Sequence, residues 1–385
     1  MLDETKQILS DLVAFPTVSV DSNLDMLAYL ATRLESCGAT VELFHDDTGK
    51  KANLFATIGP DVAGGVILSG HSDVVPVTDQ DWSTDPFLMD ERDGRLYGRG
   101  TCDMKGFIAA AIAMAPTFSQ RVTNTPIHFA FTYDEEIGCI GAQHLVTNLK
   151  QKNIRPRIAI IGEPTSMQII EGHKGCYEYS TRFQGLEGHG STPDLGVNAA
   201  EYAVRYVARL LELKETLTKM APASSRFEPP WTTVNIGAIH GGSAHNVIAP
   251  KAQVDWEMRP VKHSDALYVK DALQSYCANE LLPAMRRVSS NAQIETEVVG
   301  EVAGLIPQND NEARTLLMEL TGANSSDLVP FGTEAGLFQS LGMDVVICGP
   351  GSIEQAHKAD EFIAIEQVTE CLGLLERLSN WRSVN

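Results

Sequence analysis

The chain has 385 residues, 43% of them hydrophobic, which is enough for a sizeable core in two domains or in one domain carrying an insertion. Fifty acidic against 30 basic residues give a formal net charge of −20, which argues against a nucleic-acid partner or an anionic membrane partner. The seven cysteines are scattered and contain no Cys-X-X-Cys pair, so we expect neither a disulfide framework nor a thiolate zinc site.

The cysteine usage and the first residues predict a cytoplasmic protein. Residues 1–6 are acidic and amphipathic rather than signal-like. The sequence contains no apolar run long enough to span a bilayer, so no membrane partner is expected.

The first part of the chain alternates between helical and strand patterns. Apolar residues at helical spacing predict one helix over residues 3–14 and a second helix after Asn23, which can cap it. Runs rich in β-branched residues predict strands at 40–44, 53–58 and 66–69. This alternation is typical of an α/β sheet with helices on both faces.

Histidine or acidic residues follow several predicted strands, at 66–69, 127–132, 157–161 and 345–347. One further acidic residue, Asp103, lies between a long loop predicted over residues 81–100 and a predicted buried helix. Ligands of open α/β sheets bind beyond the strand ends, so these side chains are candidates for one site. They are His71, Asp73, Asp103, Glu135, Glu136, Glu163 and His357.

These residues supply nitrogen and oxygen donors, a mixture that suits zinc, cobalt or manganese. One carboxylate can bridge two metals, and paired metals are a known solution for hydrolases. Neighbours in extended backbone point in opposite directions, so one of Glu135 and Glu136 would bind metal while the other acts as general base. From the residues alone, several alternatives remain open. They are a strand-capping His71, a solvated turn at Asp134–Glu136, a helix-capping Asp103, a surface turn at Glu163–Pro164 and an ordinary surface His357.

The pattern changes near Tyr177 to strand, helix, strand, strand, helix, strand. This order is the ferredoxin-like arrangement. We therefore predict a catalytic domain in two parts, 1–177 and 291–385, interrupted by an inserted α+β domain at 178–290. Its half-exposed strands are able to serve as a dimer surface.

Five segments carry a resemblance to the di-zinc amidohydrolases, the family of aminoacylases, succinyl-diaminopimelate desuccinylases and acetylornithine deacetylases. The resemblance covers essentially the whole chain and implies a zinc-exopeptidase-like catalytic domain, a mixed sheet with helices on both faces. It also implies two divalent ions, zinc with cobalt able to substitute, and a cis peptide bond after Asp103. The segments are Gly70–Asp73, Gly100–Gly106, Asp134–Glu136, Gly162–Thr165 and His357.

The same resemblance implies a role for each polar residue. His71 and Glu163 would hold one metal, Glu136 and His357 the other, and Asp103 would bridge them, with Asp73 orienting His71 and Glu135 acting as general acid/base.

Further roles are implied by segments later in the chain. His189 resembles a histidine that reaches the site of a partner subunit, in a homodimer formed through the inserted domain, and polarises the scissile carbonyl. Asn246 and Arg259 resemble positions that bind a substrate carboxylate, for which arginine suits bidentate bonding. Glu334 is a candidate partner for a distal ammonium group, and it could equally support the site from behind or cap a helix.

Segments Gly172–Gly175, Gly332–Gly336 and Gly349–His357 resemble the acetylornithine deacetylase branch. That branch implies hydrolysis of N2-acetyl-L-ornithine to acetate and L-ornithine in arginine biosynthesis. A related N-acyl amino acid amidase, a desuccinylase or a dipeptidase is the nearest alternative. Two more distant alternatives are a non-catalytic acidic binding protein and a cysteine hydrolase that uses Cys176 near His173.

Overall fold

The computed structural model describes residues 1–122 and 124–381, whose elements fall into two units. The first unit comprises Met1–Gly172, Pro307–Val329 and the chain from Thr333 onward. The second comprises His173–Ile306 and Pro330–Gly332. Its main segment is therefore longer at both ends than the inserted range 178–290 that the sequence predicts. Both units are interrupted in the sequence, so the chain leaves the first unit and returns to it.

The bounds of the helices and strands are as follows. The helices are α1 Leu2–Val13, α2 Leu24–Ser36, α3 Gly106–Arg121, α4 Ile140–Gln151, α5 Ala199–Lys219, α6 His263–Tyr276, α7 Leu282–Arg286, α8 Glu312–Thr321, α9 Ala335–Gln339 and α10 Ile365–Asn380. The strands are β1 Thr40–His45, β2 Ala52–Ile58, β3 Val66–His71, β4 Asp90–Arg92, β5 Arg95–Tyr97, β6 Ile127–Thr132, β7 Ile158–Pro164, β8 Ile170–His173, β9 Cys176–Gln184, β10 Gly188–His189, β11 Thr233–Gly241, β12 Val247–Ile248, β13 Lys251–Arg259, β14 Gln293–Val302, β15 Asp327–Val329, β16 Asp344–Gly349 and β17 Phe362–Ala364.

An eight-stranded mixed sheet forms the centre of the first unit, in the order β1-β2-β6-β3-β7-β16-β8-β15. Its four central strands β6, β3, β7 and β16 are parallel, whereas β1, β2 and β8 pair antiparallel with their neighbours. The carboxyl ends of the four parallel strands therefore meet at one edge of the sheet.

Both faces of this sheet are covered. Val66 and Leu68 of β3 belong to the core cluster that contains residues of α1, α2, α3, α8 and α10. Ile67 between them points to the opposite face and is also fully buried. On that face α4 and α9 contact each other and the strands. The predicted α/β class with helices on both faces is thus confirmed.

The second unit has the order strand, helix, strand, strand, helices, strand, and its antiparallel sheet runs β11-β13-β9-β14. This is the ferredoxin-like arrangement. Aromatic side chains fill its core, where the rings of Tyr179 and Trp256 stack with centroids 4.5 Å apart and Phe183 meets Tyr206 edge to face.

The long loop predicted over residues 81–100 is only partly a loop. It contains β4 and β5, which pair with each other, and β5 also pairs with β17 near the end of the chain. Three-residue strands are too short to show a periodic pattern, which is why the sequence did not indicate them. None of the helices within residues 1–122 and 124–381 combines the length and apolar character that crossing a membrane requires.

Candidate active site

The ends of the central strands bring the predicted side chains together. His71 is the last residue of β3, Glu163 lies at the end of β7, and Glu135 follows β6. Gly162, next to Glu163, has no side chain because a Cβ there would lie 2.0 Å from the ring of Phe107. The close packing of β7 on α3 therefore fixes the depth at which Glu163 enters the site.

His71 is buried, and each of its ring nitrogens has a distinct partner. Nδ1 lies 2.8 Å from the backbone oxygen of Asp73 and 3.6 Å from its carboxylate. Nδ1–H thus donates to that carbonyl, which leaves Nε2 directed toward carboxylates of the cluster. Nε2 is 3.0 Å from Oδ1 of Asp103 and 3.8 Å from Oε1 of Glu163.

The carboxylate of Asp103 lies between two histidines. Its Oδ1 faces Nε2 of His71 at 3.0 Å, and its Oδ2 faces Nε2 of His357 at 3.3 Å. Asp103 belongs to the turn Thr101–Lys105 that leads into α3, and the peptide bond to Met104 is cis, as the family resemblance implies. Nε2 of His357 also lies 3.1 Å from Oε2 of Glu136.

Glu135 and Glu136 lie in a turn rather than in extended backbone. Asp134 adopts a left-handed conformation with φ of 52°, and both of its oxygens accept from Lys51 Nζ at 2.6 Å. The carboxylate of Asp73 then accepts from the backbone nitrogens of Glu135 at 3.1 Å and Glu136 at 3.3 Å. This turn sends both glutamates toward the cluster, whereas the extended pattern predicted opposite directions.

Electrostatics show a shortage of positive charge in the cluster. Burial raises the pKa of Glu135 to about 8, with contributions from the charges of Glu136 and Asp73. Burial also raises the pKa of Glu163 well above its ordinary value. Hydrogen bonds to Asp103 and Glu136 raise the pKa of His357 to about 10. A divalent cation is the kind of charge that reverses such shifts.

The donor set fits metal ions. His71, Asp103 and Glu136 place one ligand atom each within 4.8 Å of one another, and His71, Glu135 and Glu163 do the same. Within the described part of the chain, the buried Oε1 of Glu163 has no hydrogen-bond partner. An unsatisfied buried carboxylate oxygen beside a histidine nitrogen is a natural metal ligand.

The other predicted substrate residues lie in the second unit. His189 and Asn246 are both exposed on the small ribbon of β10 and β12, where Gly190 N donates to Asn246 O at 2.7 Å. Arg259 is half-buried and pairs with Glu257 through Nε at 3.0 Å and Nη2 at 2.8 Å.

Glu334 is buried rather than open to a ligand. Its Oε1 accepts from Ser69 at 2.5 Å and its Oε2 from Thr132 at 2.7 Å, so it joins the ends of β3 and β6. This geometry favours the structural alternative, and its role toward a substrate amine stays a prediction.

Several residues around the site were not identified from the sequence. Glu361 is buried and binds the backbone of the Asp103 turn, and Ser19 donates to Asp73 Oδ2 at 2.8 Å. Acids and hydroxyls outside a strand end resemble solvated loop residues, so no local signal distinguishes them.

Comparisons with known proteins identify relatives along nearly the whole chain. Residues 67–380 match the family described as Peptidase family M20/M25/M40. An acetylornithine deacetylase of Myxococcus xanthus is 36% identical over 381 residues, 98% of this chain and 97% of the relative. An acetylornithine deacetylase of Klebsiella pneumoniae (strain 342) is 35% identical over 364 residues, 93% and 92% of the two chains.

Solved structures share the fold at lower sequence identity. An M20 family metallo-carboxypeptidase of Sulfolobus solfataricus superposes with a TM-score of 0.74 at 18% identity, covering 98% of this chain and 99% of the other. A dinuclear metal-binding peptidase of the same family from Bacillus subtilis gives 0.63 at 18% identity, covering 98% and 97%. The family predicted from the motifs is therefore confirmed: the chain belongs to Peptidase family M20/M25/M40.

Proposed function

We propose that the protein hydrolyses the amide bond of N2-acetyl-L-ornithine to acetate and L-ornithine. The observation that carries the reaction type is the position of Asp103, whose two carboxylate oxygens each face the Nε2 of a different histidine. The substrate is supported by the relatives from Myxococcus xanthus and Klebsiella pneumoniae, which bear the name acetylornithine deacetylase. In biosynthesis, this reaction supplies ornithine for arginine.

Two divalent ions would be held by residues of the first unit, zinc in our proposal with cobalt able to substitute. His71 and Glu163 would bind one ion, Glu136 and His357 the other, and Asp103 both. The distances among these residues support this division, since Glu163 lies nearest His71 while Glu136 lies nearest His357. When bound, such ions supply Lewis acidity that polarises the amide carbonyl and makes water a better nucleophile at neutral pH.

Glu135 moves the protons of the reaction. Its carboxylate accepts a proton from the attacking water and delivers it to the nitrogen of the departing ornithine. Oε1 of Glu135 accepts from the thiol of Cys139 at 3.2 Å, and Asp73 holds its backbone nitrogen. The backbone contact orients the turn, and the carboxylate of Glu135 lies within 4.8 Å of ligand atoms of His71 and Glu163, beside which the amide carbonyl would bind.

Residues of the second unit complete the proposal. His189 would polarise the scissile carbonyl, and Asn246 and Arg259 would bind the substrate carboxylate. The exposure of His189 and Asn246 supports contact with another molecule, and we propose that His189 serves the partner subunit of a cytoplasmic homodimer. Glu257 occupies Nε and Nη2 of Arg259, so a substrate carboxylate would bind at Nη1 or take the place of Glu257.

Substrate profiling of the reconstituted enzyme tests the proposal. The protein is stripped with a chelator, reloaded with zinc, and assayed for acetate release from N2-acetyl-L-ornithine beside other N-acyl amino acids, a succinyl substrate and dipeptides. We expect acetylornithine to give the highest kcat/KM, and Glu135→Gln to lower kcat by about 10²–10⁴-fold without loss of metal. If acetylornithine ranks among the poorest substrates, the assignment is wrong and another amidase or dipeptidase activity takes its place.

A further inference from the structure

A buried ion pair outside the ligand set connects two of the candidate ligands. Arg99 and Glu361 are each 1% exposed, and Nη1 of Arg99 lies 2.7 Å from Oε2 of Glu361. We propose that this pair, together with Gln80, positions Asp103 and His357 relative to each other and so sets the affinity for the ion that those two residues share. This inference rests on the proposed function.

The carboxylate of Glu361 binds the backbone of the turn that carries Asp103. Its Oε1 accepts from the backbone nitrogens of Cys102 at 2.9 Å and Asp103 at 3.0 Å. Its Oε2 accepts from the nitrogen of Gly100 at 3.0 Å in addition to Arg99. Three backbone N–H groups of the turn thus donate to one carboxylate. Charge-assisted hydrogen bonds of this kind are strong, so they restrain the backbone of the turn.

Arg99 and Gln80 hold the loop that carries His357. Nη1 of Arg99 donates to the carbonyl oxygen of Lys358 at 3.3 Å, and Nη2 donates to Oε1 of Gln80 at 2.5 Å. Nε2 of Gln80 then donates to the backbone oxygen of His357 at 3.0 Å. The guanidinium also lies over the ring of Trp82, 5.0 Å from its centroid.

The two ligands differ in how they are supported. The side chain of Asp103 is 7% exposed, so its packing restrains it, whereas that of His357 is 54% exposed. An exposed imidazole on a loop keeps its place only if the backbone of the loop is held. The hydrogen-bonded series Glu361–Arg99–Gln80 restrains the backbone of the His357 loop and connects it to the Asp103 turn.

A stabilising role alone does not explain the pair. Buried ion pairs contribute little net stability compared with apolar residues of the same volume, because both charges lose their hydration. They do impose one geometry on the groups around them. Here those groups are the backbones of two ligand-bearing segments, and outer contacts of this kind typically change metal affinity by about 10–100-fold when removed.

Zinc titration calorimetry on chelated protein, with cobalt absorption spectra as a second readout, tests the inference. One variant is Glu361→Gln, which replaces one carboxylate oxygen by a donor that faces backbone N–H groups. The other is Gln80→Met, which removes the contact to the His357 loop together with the hydrogen bonds from Arg99 and Trp82, but leaves the Arg99–Glu361 pair in place. Glu171→Gln is the matched control, because Glu171 is also buried and paired with an arginine, Arg314, and belongs to β8 rather than to the segments that carry Asp103 and His357.

We expect the wild type to bind two zinc ions. Glu361→Gln and Gln80→Met should each bind one of these ions about 10–100-fold more weakly, and their cobalt absorption spectra should differ from that of the wild type. Glu171→Gln should keep both affinities even where it lowers the melting temperature. If Glu361→Gln does not fold, Gln80→Met decides alone. If the wild type binds two ions and releases acetate but the variants keep both zinc affinities, the positioning role is overturned and the proposed function is not. A wild type that binds no divalent ion overturns the proposed function as well.

Discussion

The carboxylate of Asp73 accepts a hydrogen bond of 3.1 Å from the backbone nitrogen of Glu135. Its second oxygen accepts from Glu136 N at 3.3 Å and from the hydroxyl of Ser19 at 2.8 Å. The ring of His71 instead meets the backbone carbonyl of Asp73 at 2.8 Å. One residue thus orients a histidine by its main chain and the two glutamates by its side chain, and substitutions can separate these two actions.

Asp73→Asn keeps the carbonyl that orients His71 but turns an amide group toward backbone N–H donors. We expect kcat of the fully zinc-loaded enzyme to fall about 10–100-fold, because Glu135 loses its orientation, and the ion that Glu136 would hold to bind more weakly. Steady-state kinetics with zinc analysis measures both quantities. Ser19→Ala is the control, since it removes only one of the hydrogen bonds to the carboxylate and should lower kcat by less. An unchanged kcat in the fully zinc-loaded variant would show that the carboxylate of Asp73 does not orient Glu135.

Glu135→Gln removes the proposed proton carrier but keeps the size and shape of the side chain. We expect kcat to fall by about 10²–10⁴-fold with little change in zinc content, because a positioned general base contributes that much. Cys139→Ala deletes the thiol that touches Oε1 of Glu135 and should retain most activity. Unchanged turnover in Glu135→Gln contradicts the proposed acid/base role.

Removal of divalent ions by a chelator should abolish turnover and lower the free energy of unfolding. An ion present at about 100 times its Kd contributes about 2.7 kcal/mol, a value that already includes the relief of repulsion among the cluster acids. Zinc should restore both activity and the melting temperature in a thermal scan. Full activity after chelation, with metal content verified as zero, excludes a metal-dependent reaction.

His128 should make stability depend on pH independently of the site. Burial lowers its pKa to about 4, against an ordinary value of 6.5, so the unfolded chain binds more protons between these values. The stabilisation is therefore complete above pH 6.5 and is lost as the pH falls toward 4, by about 3 kcal/mol in total.

Urea unfolding of wild type and His128→Gln at about pH 7.5 and pH 5 measures this effect. We expect the wild type to lose about 2 kcal/mol more than the variant between the two pH values. Effects of metal release are common to both proteins and cancel in the comparison. Parallel pH profiles would show that His128 titrates normally in the folded protein.

Glu334→Ala distinguishes a structural carboxylate from one that binds an amine. We expect the free energy of unfolding to fall by roughly 2–4 kcal/mol, since the hydroxyls of Ser69 and Thr132 lose their acceptors. The KM values for acetylornithine and for an N-acetyl amino acid with an uncharged side chain should change by the same factor. A KM increase confined to acetylornithine would instead assign Glu334 to the distal ammonium.

Local patterns were sufficient to predict the central strands. The apolar runs at 66–69, 127–132 and 157–161 correspond to β3, β6 and β7, because β-branched residues buried on both faces leave a strong signal. Since parallel strands expose their carboxyl ends at one edge, the polar residues after them could be grouped from the amino-acid sequence alone.

Contacts between distant segments could not be predicted in this way. Glu361 binds the nitrogen of Asp103 across 258 residues, and nothing in its own neighbourhood shows that it is buried. The direction of Glu135 likewise depends on the left-handed Asp134, which an extended pattern conceals. The sequence predicted the ligand types, whereas the backbone contacts that orient them arise only when the chain is folded.

The parallel strand β16 has a consequence for the order of assembly. Residues through Gly172 contain four of the five candidate ligands, but β16 and His357 follow only after residues 173–306 have been made. A growing chain that has folded much of the sheet therefore still lacks His357, the second histidine of the proposed metal site. If that site is as proposed, its completion would report that the last central strand has docked beside β7.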